Sequence, residues 1–300
     1  MIIEKVIEYK RNKIRQYPVH ANRASEAGHP CLKYLVLNRT RWQEKTLHDI
    51  WMQFVFDEGH IQEEAVMRDL AAAGVQVVEQ QRPFTWEKFQ LTGHIDGKVE
   101  SNGKLIPLEI KSMSPFVFQT VNAAEDLLKS RYSHLKKYPA QLQLYMIMDS
   151  TEEALLILKD KSNGQLKEIP FTLDYEYCES ILKRLEVVNN HTALRTAPDQ
   201  EWDDSVCTGC GFLHLCHPDR NGSELKFIMD PELESKLDRR AALKPLADEY
   251  KALDEDIKDA LREKDRLAIG NWLVTGKWVE RKPYTVNGGK YWLPTIKRIQ

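Results

Sequence analysis

Gly93-His94-Ile95-Asp96-Gly97-Lys98-Val99-Glu100-Ser101-Asn102-Gly103-Lys104-Leu105-Ile106-Pro107-Leu108-Glu109-Ile110-Lys111 reads as two strands folded back on each other around Asn102-Gly103, a dipeptide that favours a tight hairpin turn. Residues two apart share one face of a strand, so Glu109 and Lys111 point one way while Leu108 and Ile110 point into a core. Pairing across the hairpin brings Asp96 near Glu109. Carboxylate oxygens suit Mg2+ or Mn2+, which polarise a phosphate and acidify bound water, and a lysine orients that water or offsets developing negative charge. Two carboxylates and an amine in this pattern point to metal-assisted hydrolysis of a phosphodiester. A solvated hairpin with a surface ion pair would carry the same letters, so other signals along the chain matter.

The 300 residues are 42% hydrophobic with a formal net charge of −2. A chain of this kind buries a substantial core and is not disordered. A nucleic-acid partner would have to be held by a local basic groove rather than by net charge. No stretch approaches the ~18 apolar residues of a membrane span, and the opening Met1 to Lys13 is too charged for a signal peptide, so a cytoplasmic protein is expected. No G-x-x-x-x-G-K-[ST] loop or Gly-rich dinucleotide turn is present, which excludes a nucleotide-driven motor.

Cys207-x2-Cys210-x5-Cys216, turned around Gly209 and Gly211, is a second strong signal, because closely spaced thiolates converge on metal. Cys31 is the candidate fourth ligand, and such a set would staple the N-terminal region to the segment after residue 200. The spacing leaves structural zinc and a [4Fe–4S] cluster both open, with His214 and His217 as spare zinc-type ligands. Cys178, opening a helix that runs to about Arg195, reads as a packed core thiol.

Helices are expected to about residue 73, then a strand near Val75 to Val78, the hairpin, a helix from Asn122 to Ser130 and another around Gln141 to Tyr145. A second hairpin follows over Ala154 to Lys159 and Leu166 to Phe171, so helix and sheet alternate as in α/β folds. From about Asp230 to Arg266 a charged helix carries Leu246, Tyr250, Leu253, Ile257 and Ala260 at heptad-like spacing, as a dimer seam or an arm folded back on the chain. Tyr284 to Val286 and Lys290 to Leu293 flank a further turn. Trp272, Trp278 and Trp292 alternate with Lys277, Arg281, Lys282, Lys290, Lys297 and Arg298, which suits single-stranded nucleic acid as well as it suits packed tryptophans among solvated lysines.

Taken in order, Cys31, the helix with Gly59-His60-Ile61-Gln62-Glu63, Asp96, Glu109-Ile110-Lys111, Gln141-x3-Tyr145 and the cysteine triplet resemble the RecB-like branch of the PD-(D/E)xK nuclease superfamily. The likeness is to members with a four-cysteine iron–sulfur cluster, such as CRISPR-associated RecB-like exonucleases, the AddB nuclease domain and phage recombination nucleases. It runs from about residue 20 to 218. The resemblance implies an α/β, restriction-endonuclease-like core with a central mixed sheet over residues 1–220, and a long helix with a β appendage over 221–300. It implies that Asp96 and Glu109 hold Mg2+ or Mn2+, that the Ile110 carbonyl completes the shell, and that Lys111 acts on the attacking water. Glu63 stands where many relatives have a histidine ligand, with His60 and Glu64 as alternatives. Gln141 and Tyr145, side by side on a helix, would lie near the scissile strand, and Cys31, Cys207, Cys210 and Cys216 would hold a [4Fe–4S] cluster, or zinc in its place. His94, Lys33 and Arg39 are further candidates for contact with the site or with DNA.

The implied activity is a metal-dependent deoxyribonuclease, an exonuclease on single-stranded or frayed DNA ends serving recombination, repair or phage replication, with a recombination or helicase partner. A structure-specific or restriction-type endonuclease, and a non-catalytic iron–sulfur DNA-binding subunit, are the alternatives.

Overall fold

The structure, a computed structural model, describes residues 1–218, 230–264 and 266–276, and of Pro231 only the backbone. The chain divides into a unit over Met1–Pro231 and another over Glu232–Gln300. The domain boundary expected at residue 220 falls among residues that are not described.

In the first unit, α1 (Ile2–Arg11), β1 (Asn22–Arg23), α2 (Ala24–Ala27), α3 (Leu32–Thr40) and α4 (Ile50–Ala72) precede the sheets. Asp49 caps α4 by accepting from the Met52 N–H at 2.8 Å, satisfying one of the amides a helix start leaves open. The strand expected at Val75 to Val78 is reduced to one antiparallel bridge between Val78 and Lys98. Next come β2 (Pro83–Trp86), β3 (Leu91–His94), β4 (Gly97–Ser101) and β5 (Lys104–Met113), with β1, β3 and β2 forming one small sheet.

The main sheet has the order β4-β5-β6-β7, where β6 is Glu153–Asp160 and β7 is Leu166–Thr172. β5 runs antiparallel to β4 and parallel to β6, so the sheet is mixed. The β4–β5 turn places Asn102 at φ +52° and Gly103 at φ +77°, the two left-handed positions that a tight hairpin requires and that Asn-Gly supplies at least strain. The parallel step from β5 to β6 needs a crossover, provided by α5 (Pro115–Thr120), α6 (Ala124–Lys129) and α7 (Lys137–Asp149). The single helix expected over Asn122 to Ser130 is therefore preceded by a separate turn that begins at Pro115, a residue suited to a first helical position.

Both faces of the sheet are covered. Leu108, Ile110 and Ile157 pack with Val66 of α4, and Met113, Leu156 and Leu158 pack with Leu142 and Met146 of α7. The expected α/β class, a central mixed sheet flanked by helices, is what the chain forms. α8 (Tyr175–Leu194), α9 (Asp204–Cys207) and α10 (Leu213–Cys216) complete the unit.

In the second unit, α11 spans Pro231–Ala260 and β8 (Arg266–Ile269) pairs with β9 (Trp272–Thr275). Leu246, Tyr250, Leu253 and Ile257 form an exposed stripe on α11, and Pro245 interrupts its hydrogen-bond ladder. Trp272 is exposed on β9. Trp278, Trp292, the basic residues from Lys277 onward and the last expected hairpin lie outside the described residues. Among the described residues no helix is long and apolar enough to cross a membrane.

Candidate active site

The site forms where β4 stops and β5 continues. Gly97 pairs with Leu108 as the last rung of the hairpin, so among the described residues the edge of β5 beyond it has no strand neighbour on that side. Ile110 turns both its N–H and its C=O toward that open edge, since the two groups of one strand residue point the same way. Asp96, in the short link between β3 and β4, fills the gap: its Oδ2 accepts from the Ile110 N–H at 2.7 Å. The Ile110 carbonyl beside it receives the Lys111 ammonium at 3.3 Å.

Strand parity holds, with Glu109 and Lys111 on the face opposite Leu108 and Ile110, but that face is covered by α7. Glu109 is only 1% exposed, as deeply buried as the leucines beside it. Its Oε1 takes an ion pair from Lys111 and a 2.7 Å hydrogen bond from Gln141 Nε2. Among the described residues its Oε2 is buried with no hydrogen-bond partner. Burial, with Asp96 and Glu63 adding negative charge nearby, pushes the Glu109 pKa up to about 7 despite Lys111. Burial opposes the Lys111 ammonium, yet Glu109 and Asp96 outweigh it and hold that pKa above the ordinary value. The ammonium also lies 5.6 Å from the centre of the Tyr138 ring, a cation–π contact.

Gln141 and Tyr145 face the site together, their side chains 3.2 Å apart, and the Tyr145 hydroxyl donates to the His94 carbonyl at 2.7 Å. Gln143 points away, to Thr172 and Asp174. Glu63 on α4 accepts from Gln81 at 3.2 Å, and its pKa is raised by burial and by Asp96. It lies within electrostatic reach of Asp96, Glu109 and Lys111 without closing a three-carboxylate set. Among the described residues no three His, Cys, Asp or Glu side chains stand close enough to grip one ion together. Two carboxylates with a backbone carbonyl are a sufficient set for Mg2+, which keeps several waters, and the orphaned Glu109 oxygen offers a lone pair that such a cation would accept.

Cys31, Cys207, Cys210 and Cys216 line one cavity with Tyr34, Phe212 and His217, and none forms a disulfide. Cys31 also caps α3, accepting from the Tyr34 N–H at 3.3 Å. Gly211 is needed where it stands, because a Cβ there would lie 2.9 Å from the Lys45 side chain, while Gly209 is open. Burial raises the thiol pKa of Cys31 and Cys216 and lifts that of Cys210 to about 11, so these three thiolates would need a compensating cation. His217 lines the same cavity and leaves its Nε2 buried and unpartnered. The donor set suits a soft metal group.

Other candidates take structural roles or face solvent. Arg39 is committed to Asn189, the His20 carbonyl and Gln90. Cys178 is buried against the Gln143 backbone, as a packed thiol. The side chains of His94, His60 and Glu64 are exposed, and Lys33 is half-buried beside Cys216. Two contributors escape a reading of the sequence. Tyr138 stands one turn before Gln141 on α7, a spacing that could have flagged it. The ion pair between Lys98 and Asp149, with 2.7 Å between the charged atoms, joins residues with no local pattern to link them.

No family model matches this chain, and no curated protein matches it. Among solved structures it is similar to a protein solved as SSO0001, at 17% identity over 72% of this chain and 96% of the other, with a TM-score of 0.44. It is similar to an alkaline exonuclease, LHK-Exo, from Laribacter hongkongensis at 13% identity over 59% and 89% of the two chains, with a TM-score of 0.41. A phage related exonuclease from Haemophilus somnus 129PT is similar at 12% identity over 60% and 96%, with a TM-score of 0.39. All three similarities are remote.

Proposed function

We propose that this chain is a Mg2+- or Mn2+-dependent deoxyribonuclease of the RecB-like PD-(D/E)xK kind, acting as an exonuclease on single-stranded or frayed DNA ends and stapled by a [4Fe–4S] cluster. The observation that carries the reading is the buried Glu109 oxygen without a hydrogen-bond partner, set beside Asp96, the Ile110 carbonyl and the lysine that contacts it. A hard divalent cation held by Asp96, Glu109 and the Ile110 carbonyl would supply a polarised phosphate and a water acidic enough to attack near neutral pH. Lys111, kept charged by Glu109, orients that water or offsets the negative charge that grows on the phosphate. Gln141 holds Glu109 in place, and Tyr145 holds the backbone that carries Asp96. Glu63 is the candidate for a further ligand once it releases Gln81.

Cys31, Cys207, Cys210 and Cys216 would hold the cluster, closing a long loop between α3 and the 207–216 turn. Four thiols around one cavity suit such a cluster, and zinc is the alternative occupant.

The test is cleavage of end-labelled single strands by anaerobically purified protein, with Mg2+ or Mn2+ and with a chelator, beside Lys111→Ala. Metal-dependent release of mononucleotides or short products from an end, lost in the variant while DNA binding persists, supports the reading. Cutting of closed circular single strands replaces it with an endonuclease. Binding without cleavage under every metal leaves a DNA-binding subunit.

A further inference from the structure

The link from His94 to Lys98, which carries Asp96, is gripped at both ends by one face of α7. Gln141, Tyr145 and Asp149 are spaced by fours on that helix, so their side chains rise in a row. Gln141 takes Glu109, Tyr145 takes the His94 carbonyl at 2.7 Å, and Asp149 takes the Lys98 ammonium at 2.7 Å. The Asp149 side chain is 2% exposed and that of Lys98 is 9% exposed, so the pair is buried beside the link. Asp149 sits at the C-terminal end of α7, where the helix field disfavours an anion, and its Oδ2 is buried without a hydrogen bond. A carboxylate kept there at such cost is held by its cations, Lys98 and the more exposed Arg82, 3.3 Å away. Arg82 belongs to the same grip, since its carbonyl accepts from the Ile95 N–H at 3.2 Å.

We infer that the Lys98–Asp149 ion pair is a positioning device: it pins the far end of the link to α7, so that Asp96 stays across from Glu109 with its bond to the Ile110 N–H. Without the pair the far end would keep its backbone ties, the Gly97–Leu108 rung and the Val78–Lys98 bridge, but would lose its side-chain tie to α7. The inference rests on the reading of Asp96 as a metal ligand for its purpose, but not for its test.

The direct readout is hydrogen exchange of the Ile110 amide in the whole chain, followed by NMR, because that amide's acceptor is the Asp96 side chain rather than a strand. Asp149→Asn should speed exchange at Ile110 at least tenfold beyond any change at β6 amides such as Leu156, and Lys98→Met, which keeps the stem and removes the charge, should do the same if the first variant folds poorly. Exchange at Ile110 that is unchanged, or that rises in step with β6, would reduce the pair to ordinary stabilisation and overturn the inference. Mn2+ titration followed by electron paramagnetic resonance is the second readout, with weakening of about tenfold expected in either variant. Absence of Mn2+ binding by the unaltered protein would sink the nuclease reading while leaving the Ile110 result to decide the positioning role.

Discussion

The carboxylate site and the cysteine cavity both gather residues far apart in sequence, yet they are held in opposite ways. At the carboxylate site almost every polar group is tied to the protein itself: Asp96 to the Ile110 amide, Glu109 to Lys111 and Gln141, Tyr145 to the His94 carbonyl. In the cysteine cavity the four thiols face one space with no disulfide between them, and burial disfavours the ionised forms of Cys31, Cys210 and Cys216. One site is preorganised by hydrogen bonds and ion pairs; the other would gain its cohesion from the metal group proposed for it. A catalytic group must sit still before substrate arrives, whereas a staple can be assembled by its metal.

Removal of the occupant proposed for the cavity should therefore produce the largest effect. Cys207→Ser is expected to abolish visible thiolate-to-iron absorbance and to destabilise the first unit by about 5 kcal/mol or more, given what structural metal sites contribute to folding. Denaturant unfolding of the anaerobic protein measures this, and a colourless unaltered protein with bound zinc would end the cluster assignment. Lys111→Ala comes next, with cleavage expected to fall about 10³-fold, or about 4 kcal/mol, while the melting temperature changes little. An equal loss of DNA affinity would move Lys111 from catalysis to binding.

His134, ahead of α7, has its pKa lowered to about 4 by burial, with Lys137 and Lys161 adding to the shift. The unfolded chain takes up this proton near pH 6.5, so stability from the neutral imidazole is full above that value and is lost as pH falls toward 4. The stability difference between the unaltered protein and His134→Gln should be flat above pH 7 and shrink by up to about 3 kcal/mol between pH 6.5 and 4. A difference that stays constant with pH would show the imidazole to be freely protonated in the fold.

Gly28 joins the two regions, standing three residues before Cys31 and against the start of α7. A Cβ there would lie 2.7 Å from the Ala140 Cβ and 2.9 Å from the Lys136 carbonyl. Gly28→Ala should cost about 2 kcal/mol and disturb both sites together, whereas Gly209→Ala, with open space around it, should be near neutral. Tyr145→Phe should have the smallest effect, about 1 kcal/mol for the lost bond to the His94 carbonyl, and should leave the cavity's absorbance untouched.

Much of the candidate site was legible because its signals are local. Asn102-Gly103 announces the hairpin, period-two alternation separates Glu109 and Lys111 from Leu108 and Ile110, and i,i+4 spacing pairs Gln141 with Tyr145. What alternation could not reveal is that both faces of β5 are buried, since parallel pairing to β6 through a helical crossover covers the side a hairpin alone would leave wet. The strand expected at Val75 to Val78 failed for a related reason: its apolar residues have only a one-residue pairing opportunity with Lys98. Arg39 was drawn into a partly exposed hydrogen-bond network that no spacing predicts.

The sequence by itself determined the hairpin, the order of the motifs, the chemistry of the two donor sets and the placement of α7. Only the tertiary structure decided that Glu109 keeps one carboxylate oxygen unpaired, that Lys98 reaches Asp149, and that Cys31 meets the 207–216 turn. These depend on burial and on contacts between residues dozens to more than a hundred positions apart, which local periodicity does not encode.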